Sequence, residues 1–164
     1  MTAQTLNELF AQGLKEMYFV EQELTDALDA LAQEVSEDDL AQAFEEHREE
    51  TEGHIDRLEE VFEMIDESPE GKKVQAVQGL ISDHEEFSEG DPDQHVLNLF
   101  DLAAAEKSEH LEIAAYGNLT FFADQLGLDD AADLLEENLR EEQETLDELK
   151  QLTEAYDVSS VPTA

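Results

Sequence analysis

Phe44-Glu45-Glu46-His47-Arg48-Glu49-Glu50-Thr51-Glu52-Gly53-His54 is the stretch on which the fold turns. Wound as an α-helix at about 100° per residue, it gathers Phe44, His47, Thr51 and, one turn beyond, Leu58 within about 60° of arc. His54 and Glu50 fall at the near edge of the same stripe. A stripe that packs against neighbouring helices is ordinarily apolar, so histidine and glutamate in it need partners of their own. A related run, Arg140-Glu141-Glu142-Gln143-Glu144, echoes Arg48 to Glu52 later in the chain. Other helices are therefore expected to bring carboxylates to meet these two.

Around this stretch the composition favours helix: three prolines and seven glycines in 164 residues, with Ala, Leu and Glu abundant. That length suits one domain with a full core, expected over 1–157, followed by a flexible tail over 158–164. There is no cysteine, which excludes disulfides, thiolate metal sites and cysteine catalysis. No apolar run approaches the length of a membrane span, and the N-terminus lacks the basic-then-apolar form of a signal peptide. A cytoplasmic protein is expected, with no membrane partner.

Charge sets the strongest limit. Against 45 Asp and Glu stand only 8 Lys and Arg, for a net charge of -37, which excludes nucleic-acid binding through phosphates. Such self-repulsion opposes compaction in dilute buffer and is tolerable where concentrated salt screens it. The composition predicts a protein of a halophile's salty cytoplasm. A disordered acidic chain fits poorly, because 40% of residues are hydrophobic and they recur at regular spacing.

Taken in order, Leu6 to Val35 forms the first helical segment. Phe10, Leu14, Met17, Glu21, Leu24 and Leu28 share an arc of about 80°, with Glu21 interrupting the apolar seam. Ser36-Glu37-Asp38-Asp39 reads as a break and a new helix start, so short that the first two helices must lie antiparallel. The second helix runs to about Ile65, where Glu67-Ser68-Pro69-Glu70-Gly71 stops it. Val74, Val77 and Ile81 mark a shorter helix inside the connection from Asp66 to Asp93. That connection is long enough to travel back along a bundle, as in ferritin-like topology. A third long helix, about Pro92 to Leu126, ends at Gly127, with Leu99, Ala103, Glu106, His110, Ala114 and Gly117 expected on its packed face. The fourth runs from about Asp129 to Tyr156, with Leu135, Leu139, Glu142, Leu146 and Leu149 as its seam. The fold class is all-α: a ferritin-like four-helix bundle with one extra crossover helix.

Each long helix thus carries an acid near the middle of its seam: Glu21, Glu50, Glu106 or Glu109, and Glu142. His47 and His110 lie on two of the stripes; His54 and His84 are expected at the surface or in satisfied packing, and His95 exposed. Two bare carboxylates about 4 Å apart repel by roughly 4 kcal/mol at an effective dielectric of ~20. Four converging carboxylates need protons or cations, and a pair of divalent metals bridged by glutamate and capped by histidine resolves the conflict. The bland alternative is that some of these acids face solvent, as most of 45 must. One departure from a standard centre is visible: no histidine has a glutamate three residues before it, and the pairing His47-x-x-Glu50 runs backwards. No phosphate-binding loop, zinc-protease motif or nucleophile elbow is present.

Tyr18-x-x-Glu21, Phe44 to Thr51, Glu109-His110-Leu111-Glu112-Ile113-Ala114-Ala115-Tyr116-Gly117 and Leu139-Arg140-Glu141-Glu142 together resemble the YciE/YciF family of ferritin-like proteins, over about Leu6 to Leu152. The chain departs from that family's pattern at Leu111, often Tyr there, and at Glu106, often Gln. The resemblance implies a ferritin-like bundle, a di-metal site and an association with stress responses, without a settled enzyme activity. The resulting expectation is two divalent metal ions, iron or manganese, held by Glu21, His47, Glu50, Glu106, Glu109, His110 and Glu142. Glu50 and Glu109 (or Glu106) are the bridging candidates, Glu21 and Glu142 terminal carboxylates, and His47 and His110 the nitrogen ligands. Tyr18, one turn before Glu21, would hydrogen-bond a ligand or accept oxidising equivalents, with ordinary core packing the favoured alternative. Oxidation of Fe(II) by oxygen or peroxide is the reaction such a site allows. The rival is a non-enzymatic acidic bundle with a structural or interaction role in stress. The reading admits metal ions as partners and allows a homodimer.

Overall fold

The computed structural model describes residues 2–163; the outer ends of the expected domain and tail, Met1 and Ala164, lie outside them. Five α-helices follow one another: α1 Leu6–Glu34, α2 Asp38–Met64, α3 Gln75–Ser88, α4 Gln94–Leu126 and α5 Asp129–Ala155. A short 3-10 turn, Val158–Ser160, closes the described chain. Local chemistry sets these limits. Thr5 and Glu8 form a reciprocal capping box at the start of α1, satisfying amides that the helix leaves free. The Asp93 side chain accepts from the His95 amide to begin α4, just past Pro92. Gly127 ends α4 in the left-handed conformation, with φ 70°, where a side chain would be strained. At the end of α2 the Glu67 amide reaches back to the Phe62 carbonyl at 3.0 Å.

Side-chain contacts fix the helix directions. Tyr18 meets Glu59, and Lys15 meets Glu67, so α1 and α2 are antiparallel. Tyr116 donates to Glu21 while Gly13 faces Leu119, so α1 and α4 are antiparallel too. Glu50 meets Thr145 and Arg57 meets Asn138, which sets α2 against α5. Helices α2 and α4 therefore run the same way, which only a crossover can achieve. That crossover is α3: it lies along α1, with Gln78 near Glu23 and His84 near Glu34. The architecture is the ferritin-like bundle expected from the sequence.

The core is divided. One apolar cluster gathers Phe10, Leu14, Leu58, Phe62, Leu119 and Leu135 towards one end. A second gathers Leu28, Leu31, Leu40, Phe44, Leu102 and Leu149 towards the other. Between them, at mid-height of all four long helices, sits a buried polar layer that includes Glu21, His47, His54, Glu109, Glu112 and Glu142.

The α4 face expected to pack is corrected. Ala103, His110 and Ala114 are exposed and Glu106 and Gly117 half-buried, whereas Asn98, Asp101, Leu102, Glu109, Glu112, Tyr116, Leu119 and Ala123 face inward. Helix α4 buries polar side chains and shows small apolar ones, so its sequence lacks the amphipathic contrast from which a face is read.

Candidate metal centre

Helix α2 aims both of its imidazoles into the polar layer. His47 and His54 are seven residues apart, two helical turns, and so project from one face. From α5, Glu142 enters between them: its Oε2 lies 3.9 Å from His47 Nε2 and its Oε1 3.0 Å from His54 Nδ1. Helix α4 adds Glu109, with Oε1 3.2 Å from His47 Nε2, and Glu112 one turn on, also fully buried. Helix α1 adds Glu21, whose Oε1 is 3.6 Å from His54 Nδ1 and accepts the Tyr116 hydroxyl. Two groups result, Glu21–His54–Glu142 and His47–Glu109–Glu142, each with its donor atoms within 4.8 Å of one another. Glu142 belongs to both.

Few of these atoms are satisfied by the protein. Both oxygens of Glu109, Glu112 and Glu142, Glu21 Oε2, both ring nitrogens of His47 and His54 Nδ1 are buried without a hydrogen-bond partner. Orphaned polar groups at this density are costly, and their chemistry is that of hard carboxylate and borderline imidazole donors to a first-row divalent cation. The residues present fit such ions.

Without a cation the electrostatics are strained. Burial, reinforced by the Glu142 charge, pushes the Glu109 and Glu112 carboxyls well above the usual range. Burial likewise raises Glu21, against the lowering effect of His54. Burial lowers His47 to about 4. It opposes charge on His54 as well, but the close Glu142 and Glu21 carboxylates win and raise that imidazole to about 11. The layer thus favours protons or cations among these carboxyls.

A second set of contacts orients His54 from behind. Its Nε2 lies 3.0 Å from Glu141 Oε2. Glu141 in turn accepts a two-pronged pair from Arg57, Nη1 to Oε2 at 2.8 Å and Nη2 to Oε1 at 2.9 Å.

Of the residues expected from sequence, Glu21, His47, Glu109 and Glu142 converge here. Three do not. Glu50 is exposed and accepts from Thr145 Oγ1 at 3.0 Å; it lies about 60° from His47 around α2, on the side away from Leu58. Glu106 accepts from Thr153 Oγ1 at 2.7 Å on the bundle's flank. His110 points outward from α4. Tyr18 donates to Glu59 at 2.7 Å and packs edge-on against Phe62, away from the cluster. His54, expected at the surface or in satisfied packing, is instead fully buried with Nδ1 facing the cluster, and Glu112 is a residue that the sequence reading did not place in the site. The signal for Glu112 is the ladder Glu109, Glu112, Tyr116, Leu119, Ala123, spaced three and four apart like any buried face.

Residues 5–159 match the family model described as a domain of unknown function, DUF892. The chain is 40% identical to Protein YciF of Escherichia coli K12 over 146 residues, covering 88% of each. The crystal structure of the E. coli stress protein YciF superposes with a TM-score of 0.87 at 39% identity, over 92% of this chain and 96% of that one. YcfI of Rhodopseudomonas palustris, nominally a structural protein, gives 0.86 at 37% identity, over 90% and 94%.

Proposed function

The chain belongs to the DUF892 family of YciF-type proteins, and from that premise and the geometry of the polar layer we propose that it is a ferritin-like protein holding two divalent metal ions between its helices. Glu21, His47, His54, Glu109, Glu112 and Glu142 are the ligands in this reading. The observation that carries it is Glu142, whose two oxygens face two separate groups of ligand atoms. Glu142, expected as a terminal carboxylate, would thus serve both groups, the part expected of Glu50 and Glu109 (or Glu106). Carboxylates with imidazole suit iron or manganese. Such a pair, when bound, supplies redox chemistry towards oxygen or peroxide, which fits a role in stress like that named for the E. coli relative.

The protein's own part is to position and to exclude. Apolar clusters above and below the layer keep bulk water away. Tyr116 donates to Glu21 and so fixes one carboxylate. Glu141 draws the Nε2 proton of His54, which leaves Nδ1 to face the layer.

The test is metal content after anaerobic loading with Fe(II) or Mn(II) in concentrated KCl, where surface attraction is screened. The parent should retain two ions per chain, Glu142→Gln should lose both, and His110→Ala should lose none. A Glu142→Gln protein that folds and keeps two ions would overturn the assignment.

A further inference from the structure

Among the described residues, the signature of the central layer recurs where the crossover helix meets the bundle. His84 of α3 brings its Nε2 to 3.0 Å from Asp101 Oδ1 on α4 and 3.3 Å from Glu34 Oε2 at the end of α1. Neither approach has the direction of a hydrogen bond, and His84 Nε2 and both Asp101 oxygens are buried without a partner. The Asp101 side chain is 0% exposed. Among the described residues, no Lys or Arg pairs with it. A buried carboxylate with two open oxygens beside an imidazole nitrogen is an incomplete ligand set.

We propose that His84, Asp101 and Glu34 form a second, separate site for one first-row divalent metal ion, which fastens α3 to α1 and α4. Three helices each contribute one donor. The trio is more open than the central groups: its donors do not all fall within the 4.8 Å that those meet, and the gap lies between Glu34 and Asp101. Glu34 has the freedom to close it, being the last residue of α1 with a third of its side chain exposed. A cavity of about 370 Å³ lined by Leu28, Leu31, Ile81, His84 and Ala105 opens beside it, giving water a route to complete the coordination. A cation there would relieve the cost of burying the Asp101 carboxylate with neither oxygen partnered. The stacked rings of Phe87 and Phe100, with centroids 4.0 Å apart, hold the end of α3 in place. Val77 is the one fully buried residue of α3 and Ile81 packs against the core at half burial, so a metal clasp at its far end would add anchorage where the helix has little.

This site does not depend on the central one, and the experiment separates them. Full-length protein in concentrated KCl is titrated with Zn(II), and bound zinc is counted for the parent, His84→Ala, Asp101→Asn and Glu142→Gln. His84→Ala and Asp101→Asn should each lose one equivalent and keep the central ones; Glu142→Gln should keep the equivalent that those two lose. Crystals soaked in Zn(II) should show an anomalous peak bonded to His84 Nε2 and Asp101, and amide exchange in α3 should slow on adding zinc in the parent and in Glu142→Gln but not in His84→Ala or Asp101→Asn. Equal zinc content in parent, His84→Ala and Asp101→Asn would overturn the proposal, whatever Glu142→Gln shows. So would an imidazole at position 84 whose ring-nitrogen resonances report both protons and do not move with zinc.

Discussion

His54 offers its two ring nitrogens to different neighbours, and that division of labour is the most exposed point of the site. Nε2 faces Glu141, which the Arg57 fork holds; Nδ1 faces Glu142 and Glu21. Removing Glu141 frees the ring to turn and to keep a proton on the wrong nitrogen. Glu141→Ala is therefore expected to weaken metal binding about 10–100-fold, measured by chelator competition in concentrated KCl. Glu137→Ala is the control, since Glu137 meets Arg57 at 3.2 Å and has no contact with His54 in the structure. Equal affinity in the two variants would show that Glu141 does not orient the ligand. The same residues show what was legible. Glu21, flanked by Leu14, Met17 and Leu24 on one stripe, could be read because its neighbours were unambiguous. His54 could not be separated from Glu50 by proximity to the stripe, yet around the helix His54 lies about 20° from His47 on the side where Glu50 lies about 60° away. Forty degrees decides between the core and water.

At the scale of elements, boundaries were legible because they rest on local chemistry. Gly127, Pro92 and the acids opening α2 and α5 act within a turn or two, and the helices begin and end within about two residues of the expected limits, within the scatter of such boundaries. The face of α4 was not legible for a different reason. Its inward side includes Asn98, Asp101, Ser108, Glu109 and Glu112, and its outward side includes Ala103 and Ala114, so hydrophobicity points the wrong way. Apart from the ladder from Glu109 to Ala123, what gives the face away is its partners on other helices, which no window along one helix contains. Gly127 allows a clean test of the local chemistry. No atom lies within 4 Å of a Cβ placed there, but φ is +70°, so any cost of Gly127→Ala is conformational. The substitution should destabilise the fold by about 1–2 kcal/mol, read as a lower urea midpoint with an unchanged slope. An unchanged midpoint would mean that the turn between α4 and α5 relaxes without strain.

For the molecule as a whole, two stores of negative charge must be kept apart in thought: the surface, which salt screens, and the core layer, which only protons or metals can neutralise. With a net charge of -37 and a screening length of about 3 Å at 1 M salt, the melting temperature should rise from dilute to concentrated KCl; equal midpoints would contradict adaptation to salt. Concentrated KCl then leaves the core as the part that pH can address. Glu21, Glu109 and Glu112 have folded pKa values raised above their ordinary value of 4.5. They favour the fold while protonated, and that contribution is lost as pH rises through the raised values. His54, raised from 6.5 to about 11, favours the fold fully below 6.5 and progressively less up to about 11. His47 acts in the opposite sense, but its window lies between about 4 and 6.5, and above it the contribution is complete. From about pH 6.5 upward, therefore, His47 no longer opposes the loss: His54 sheds its contribution, and the carboxyls held above their ordinary range act in the same sense. The metal-free protein should melt at steadily lower temperature as pH rises from about 6.5 to about 9. Bound metal replaces the protons that the alkaline solution removes, so the Mn(II)-loaded protein should show a much smaller fall over the same range. Differential scanning calorimetry of both forms in concentrated KCl makes the comparison. A metal-free melting temperature that is flat or rises with pH would show that the layer is not charged in the way its burial requires. A fall of equal size in both forms would show that Mn(II) does not sit among these carboxylates.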